Sequence, residues 1–415
     1  MKLFNTRKHS TLQYLEFPSL VNSSFHIFFN RRKVRMLLQN KGKHISLIFV
    51  MMAMVFSMSP QLLFAQGESA VPFLLIAPNA RADGMGEAGG ALADDASAAF
   101  WNPAALAFLP GQEISLTHSN WLPAFQQSDL FYDYLSYRNK IESLGGSVSA
   151  SVTYLSLGEF VITDASPDPL GTFKGYELSV TAGYATRVFE DLGLGINLRY
   201  IHSSLAPIDV QGQGREGIAS TVSFDVAALW KPKTLGPLED RLSIGLNLSN
   251  LGPKMTYIDA SQADPLPTNL RLGIAAQIIK SEFNNVNFVV DFSRLLVRRY
   301  SGDTTYNSDG TIRFISDPRV DDLPKSIFTA WGDNGLSKVT IGTGIEYWYG
   351  APKLIALRFG YFYEHPQFGN RKFLTFGAGV RYDVYGFDFS YLSAVEENHP
   401  LGETLRFTLL IAWGQ

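Results

Sequence analysis

From residue 112 to its end the chain is a ladder of segments of about ten residues in which every second residue is apolar. In the last of them Leu405, Phe407, Leu409, Ile411 and Trp413 alternate with Thr404, Arg406 and Thr408. An extended strand sends these two sets to opposite faces. A chain made almost wholly of such strands has a greasy face and a charged face but no separate water-soluble core, and lipid is the solvent that suits the first.

The alternating runs fall at residues 112–118, 128–137, 145–155, 176–188, 192–202, 219–230, 241–250, 269–280, 286–293, 338–348, 354–363, 372–382, 385–394 and 404–413. Fourteen is an even number, as bacterial outer-membrane barrels require. Short links (189–191, 281–285, 349–353, 383–384) interleave with longer ones (156–175, 203–218, 251–268). Barrels of this kind keep short turns on the periplasmic side and long loops outside, so the parity predicts that both termini are periplasmic. The longest insertion, 294–337, falls on the outer side, and its piece 325–331 is expected as an extra ribbon that does not span. The predicted fold class is therefore all-β, a 14-stranded antiparallel transmembrane β-barrel over residues 112–415.

The beginning of the chain points to export. A basic stretch with Lys41, Lys43 and His44 precedes the uncharged apolar run 45–56, and Ser57, Ser59 and Pro60 break it ahead of Leu63, Phe64 and Ala65. That is the layout of a signal peptide, too short for a spanning helix. Residues 1–65 are read as a leader cut before Gln66, with Met36 as an alternative start. The leader holds nine of the 35 Lys and Arg but one of the 38 acids, which leaves 26 and 37 beyond it, a net charge of −11. Such a balance excludes nucleic acid as a partner. Absence of cysteine excludes disulfides, thiolate metal sites and cysteine catalysis. The 30 Phe and 18 Tyr suit interfacial girdles, and the 36 Gly suit strands that bend or pack closely.

The strand periodicity also assigns the lumen. Leu194, Ile196, Leu198 and Tyr200 alternate with Gly195, Asn197 and Arg199, and Ile355, Leu357, Phe359 and Tyr361 with Ala356, Arg358 and Gly360. The inward set holds Arg199, Arg271, Arg358, Arg381 and Arg406 together with Asp225, Asp291, Glu346 and Asp388. These charges predict interior ion-pair networks; a charge-lined solute pathway is the competing use of the same residues.

Between leader and first strand, residues 66–111 do not alternate. Asp94 or Asp95 can cap a short helix over 96–101, and Asn102, with Pro103 at the first helical position, can open a second over 104–109. A segment this rich in alanine and glycine, just ahead of a barrel, can fold into the pore as a plug. Gly84, Gly86 and Gly89 spell G-x-G-x-x-G, but without a strand–helix crossover the pattern does not predict a dinucleotide site.

The stretch ADDASAAFWNPAAL, with Asp94, Asp95, Trp101, Asn102, Pro103 and Ala104, resembles the N-terminal signature of the FadL-type outer-membrane proteins. AVPFLLIAPNARADGMGEAG, LPTNLRLG, RFGYFYEHPQFGNRKFLTFGAGVRYDVYGFDFSYL and PLGETLRFTL resemble, in order, the PorV-like branch of that superfamily in the type IX secretion system of Bacteroidetes. The resemblance covers essentially all of 66–415 and implies a FadL-like barrel with a short N-terminal helical plug. It further implies a non-enzymatic shuttle in the outer membrane. Such proteins bind the C-terminal signal domain of secreted cargo as it leaves the large translocon barrel. They pass it to an attachment complex where a PorU-like sortase anchors it at the cell surface. No cofactor is implied, although a bound lipid or detergent molecule is compatible with the barrel.

Two rival readings use the same residues. A carrier of hydrophobic small molecules would need a greasy pocket above the plug. An outer-membrane enzyme would need a base beside a nucleophile, and His118, His202, His365 and His399, the histidines beyond the leader, stand in no recognisable constellation. No catalytic or metal-binding residue is predicted. For the shuttle, the expected contacts are Ile312, Phe314 and Ile315 in the loop 294–337 and Phe368 in the loop 364–371, with acidic complementarity from Glu396 and Glu397 in the loop 394–402.

Overall fold

The computed structural model describes residues 69–415 apart from 126–128, 164–168, 210–215, 235, 260–261, 301–303, 307–311, 315–318, 333, 398 and 415. The leader 1–65, with Met36 and the cleavage point ahead of Gln66, lies outside the described residues. No described helix is long and apolar enough to cross a membrane; the strands form the wall.

Alternation becomes architecture directly. The strands β1 (Gln112–Asn120), β2 (Leu130–Ile141), β3 (Gly146–Thr163), β4 (Pro169–Arg187), β5 (Leu192–Asp209), β6 (Glu216–Trp230) and β7 (Leu242–Leu251) run up and down as neighbours. They continue through β8 (Asn269–Lys280), β9 (Asn284–Leu295), β10 (Val339–Tyr349), β11 (Ile355–Tyr363), β12 (Lys372–Tyr382), β13 (Tyr385–Ala394) and β14 (Thr404–Trp413). β14 pairs back onto β1, with Leu116 opposite Leu409 and Thr117 opposite Thr408, and closes a 14-stranded antiparallel barrel. Closure leaves no sheet edge unpaired in the apolar zone, where water cannot satisfy one.

The molecule is inside out relative to a soluble protein. Leu198, Leu357 and Leu409 are 63, 57 and 58 % exposed, whereas their strand neighbours Arg199, Arg358 and Arg406 are 6, 4 and 2 % exposed. Leucines outside and arginines inside is the pattern the periodicity predicted, and it makes sense only with lipid around the wall.

The ladder extends past the alternation in one sector. β3 to β6 hold 15 to 19 residues each, against 9 to 12 in every other wall strand. Much of the links read as loops at 156–175 and 203–218 is therefore strand. Hydrophobic alternation stops where lipid stops, but backbone pairing does not need lipid to continue. The β3–β4 register shifts between Ser156 and Glu159, where Gly158 takes a φ of 82° that suits a residue without Cβ. Beyond this bulge Phe160 pairs with Phe173, and their rings stack 5.2 Å apart.

The segment 325–331 is not a ribbon. Leu323–Thr329 is an α-helix, continued by a 3₁₀ turn over Ala330–Gly332. Pro324 in its first turn pre-sets the helical φ, and Asp321 accepts from Lys325 Nζ and Thr329 Oγ1, both at 2.8 Å. Ribbons do form elsewhere in this loop, Arg299–Tyr300 with Arg319–Val320 and Thr304–Tyr306 with Ile312–Phe314. The piece 325–331 does not span, as predicted, and these ribbons stay outside the barrel wall as well.

Candidate functional site

The lumen is filled by the chain that precedes β1. Its order is a 3₁₀ turn at Pro72–Leu75, helix α1 (Ala80–Asp83), helix α2 (Ala98–Trp101) and a 3₁₀ turn at Pro103–Phe108. Two helical pieces were expected and four are present. The extra turns lie in the proline- and glycine-rich first half, where no apolar period marks them.

Asn102 acts as predicted. It caps the Pro103 turn, its Oδ1 accepting from the Ala104 N–H at 3.1 Å, and its Nδ2 donates to the carbonyls of Gly90 at 2.9 Å and Ala228 at 3.1 Å. One side chain thus starts a helix, ties two parts of the plug and fixes the plug to β6. The aspartates play a different part from the one expected. Ser97 stands at the N-cap of α2, which begins two residues later than predicted, and Asp95 accepts from the Ser97 N–H at 2.9 Å. The turn that an aspartate closes with the residue two ahead replaces a helical cap. Asp94 pairs with Arg81. Trp101 is buried and its Nε1 donates to Asn79 Oδ1 at 2.9 Å.

Arg81 is the centre of the site and carried no sequence assignment. Its guanidinium donates Nε and Nη2 to Glu346 on β10 at 2.7 and 2.8 Å, and Nη1 faces Asp94 and Asp95. Glu346 also accepts from Arg358 at 3.0 Å, and Arg358 reaches Asp388 at 2.8 Å, which in turn accepts from Arg381 at 2.7 Å. The plug charge joins a four-strand network spanning β10 to β13. Elsewhere Arg199 pairs with Asp225 at 2.8 Å and Arg271 with Asp291 at 3.2 Å, while Arg406 pairs with Asp83 of the plug. Asp291 also accepts the Gly89 and Gly90 N–H groups at 3.0 and 2.8 Å. The inward charges predicted to form ion pairs do so, mostly with one another across neighbouring strands, and the plug adds Arg81 to Glu346 and Asp83 to Arg406. Charges held this way in a low-dielectric interior are fixed in geometry, because moving one strands the others.

Close approach is the second fastening. A Cβ at Gly245 would overlap the Gly90 carbonyl, and one at Gly360 the Gly86 amide, so plug backbone lies directly on wall backbone. Gly86 and Gly89 of the G-x-G-x-x-G pattern serve this packing, Gly86 at a φ of 69° against β10 and β11 and Gly89 against the Trp101 ring. Cavities beside the plug among the described residues include two of about 10 Å³ each, room for one water.

The plug runs from one mouth to the other. At its start the Ala70 N–H donates to Pro265, in the loop between β7 and β8, at 2.9 Å, and Ala70, Val71 and Phe73 pack with Tyr132, Leu155, Met255 and Leu266. At its end the Ala96 N–H donates to Glu113 at 2.8 Å and the Pro110 carbonyl accepts from Arg138 at 2.6 Å, both beside the short turns. Parity placed both ends of the chain on the short-turn side. That holds where Gln112 faces Trp413, but the residues ahead of β1 cross the lumen, and the first described ones stand at the long-loop mouth. Counting strands cannot detect a segment that traverses the pore without joining the wall.

On the long-loop side, Ile312 and Phe314 lie on the strand Ile312–Phe314, and Ile315 lies outside the described residues. Phe368 closes the 3₁₀ turn Pro366–Phe368 and is half-buried, with Lys338 Nζ 5.2 Å above its ring and the His365 ring at 5.7 Å. Glu396 is engaged by Asn370, which ties the loop 395–403 to the loop 364–371. Of the histidines, His118 and His202 sit on the outer face against Asp133 at 2.7 Å and Ser220 at 2.8 Å. His365 Nδ1 accepts from the Gln367 N–H at 3.2 Å and His399 Nδ1 from the Leu401 N–H at 3.1 Å.

A closed even-stranded barrel with an apolar belt, an ion-paired lumen and a plug drawn from its own N-terminal segment defines an outer-membrane protein of the plugged-barrel class. Within that class the chain belongs to a particular family, described as "Type IX secretion system protein PorV", which matches over residues 66–301, more than half its length. It is thus an outer-membrane component of the type IX secretion system. No protein of curated function matches the chain. Similar solved structures include the Pseudomonas putida toluene transporter TodX, at 14 % identity over 81 % of this chain and 99 % of that one, TM-score 0.48. The Ralstonia pickettii toluene transporter TbuX is 15 % identical over 80 % and 97 %, TM-score 0.45. A Pseudomonas aeruginosa FadL homologue is 13 % identical over 81 % and 98 %, TM-score 0.44.

Proposed function

We propose that this barrel is a carrier of secreted proteins that works from its outer face. It binds the C-terminal signal domain of cargo released by the large translocon barrel and moves with it in the plane of the membrane. At the attachment complex it yields the cargo to a PorU-like sortase, which does the cutting and joining, and the barrel itself catalyses nothing. The short-turn rim, with the ends of β1 and β14, faces the periplasm, and the long loops face outward.

The observation that carries this reading is the pinned plug. Arg81 holds Glu346 with two hydrogen bonds, Asp83 holds Arg406, and plug backbone rests on wall glycines, so the lumen has no room for a polypeptide. Function in a secretion system then falls to surfaces outside the pore. The proposed contacts are Ile312, Phe314 and Ile315 in the longest loop and Phe368 in the loop after β11. Shortening 296–338 and 364–371 tests this. The shortened protein should still be a heat-modifiable barrel in the outer membrane, while surface attachment of cargo falls. Normal attachment after both deletions contradicts the proposal.

A further inference from the structure

We infer that the amino-terminal end of the plug, from Ser69 to Ile76, forms part of the outward working face, so that the segment filling the lumen is also presented at the long-loop mouth. The path of the backbone carries this. Ala70 hydrogen-bonds Pro265 at 2.9 Å, and Pro265 belongs to the β7–β8 connection on the long-loop side. The same connection donates from Lys254 Nζ to the Val320 carbonyl at 3.0 Å and pairs Asp264 with Arg299, both partners lying in the β9–β10 loop. The start of the plug, the β7–β8 connection and the longest loop therefore make one continuous floor across the mouth. Val71 and Phe73 are buried in that floor, and Ser69 is half-exposed at its edge. From there the chain passes Arg81–Glu346 and then Asp83–Arg406, and reaches the short-turn rim where Ala96 meets Glu113.

A partner seated on the outer loops rests on the first turns of the element whose later turns lock the lumen. Because the sequence contains no cysteine, single cysteines report sidedness without background. Ser69→Cys is compared with Leu336→Cys, 79 % exposed on the β9–β10 loop, and with Asp383→Cys in the short β12–β13 turn. A membrane-impermeant maleimide applied to intact cells should shift Ser69→Cys as it shifts Leu336→Cys, and should leave Asp383→Cys unshifted until the outer membrane is permeabilised. Ser69→Cys shifting only after permeabilisation, or in neither condition, overturns the inference. Should Ser69→Cys fail to assemble, Pro72→Cys, exposed in the first turn, is labelled under the same two conditions, and a shift only after permeabilisation, or in neither condition, overturns the inference equally. A second readout rests on the carrier reading. Loading Ser69→Cys with a bulky maleimide should reduce cargo attachment, and a labelled protein with normal attachment would remove the partner-facing role while leaving the sidedness intact.

Discussion

Arg81 is buried among three carboxylates drawn from two places, Asp94 and Asp95 in the plug and Glu346 in the wall. Removing one member of a buried ion pair costs about 3–5 kcal/mol, because the remaining charges stay in the interior without a counter-charge. Arg81→Ala should therefore lower the stability of the plug by about that amount, read as early protease cleavage of the segment 69–111 ahead of loss of the heat-modifiable barrel. Unchanged protection of that segment would show that the ion pairs do not hold the plug. The wall half of this network was legible beforehand, since alternation assigns Glu346, Arg358 and Asp388 to one face. The plug half was not. Arg81 and Glu346 lie 265 residues apart, and a lone arginine in a stretch of small residues carries no period that aims it.

At the scale of the element, the β14 alternation makes a direct prediction. Leu409 lies midway along its strand and 58 % exposed on the lipid face, and an arginine at such a depth costs about 2–4 kcal/mol. Leu409→Arg should reduce folding into bilayers by that amount in a denaturant titration; a neutral result would place this face away from lipid. The loop that precedes β14 should respond to pH. Burial, followed by smaller opposing effects of Glu396 and Arg371, lowers the pKa of His399 from its ordinary 6.5, and its Nδ1 accepts the Leu401 N–H. A base whose folded pKa is depressed binds fewer protons folded than unfolded, so its contribution is present above the ordinary value and lost as pH falls below it. Hydrogen exchange at Leu401, corrected for its intrinsic rate, should lose protection as pH falls through this window; equal protection contradicts the neutral-histidine turn. Sequence reading found every wall strand because lipid imposes the period of two, and it shortened β3 to β6 because above the lipid nothing enforces that period. It misread 325–331 because seven residues contain too few periods to separate ribbon from helix, and Pro324, which favours the helix start, lies just ahead of them.

For the whole molecule, the barrel was readable as a closed object and the plug as a segment with somewhere to go, but not the route. The described chain starts at the long-loop mouth, fills the lumen and reaches the short-turn rim ahead of β1. Labour is thereby divided: the wall meets lipid and the lumen is occupied by the protein itself, which under the proposed function leaves the outer surface to meet cargo. Photo-crosslinking in living cells tests this division most directly, with a photoreactive residue at Phe368 on the outer side and, in a second strain, at Thr181 on the lumen face of β4. The account predicts cargo adducts at Phe368, identified by mass spectrometry as carrying the C-terminal signal domain, and none at Thr181. Cargo adducts at Thr181, or none at any outer-loop position, would contradict it.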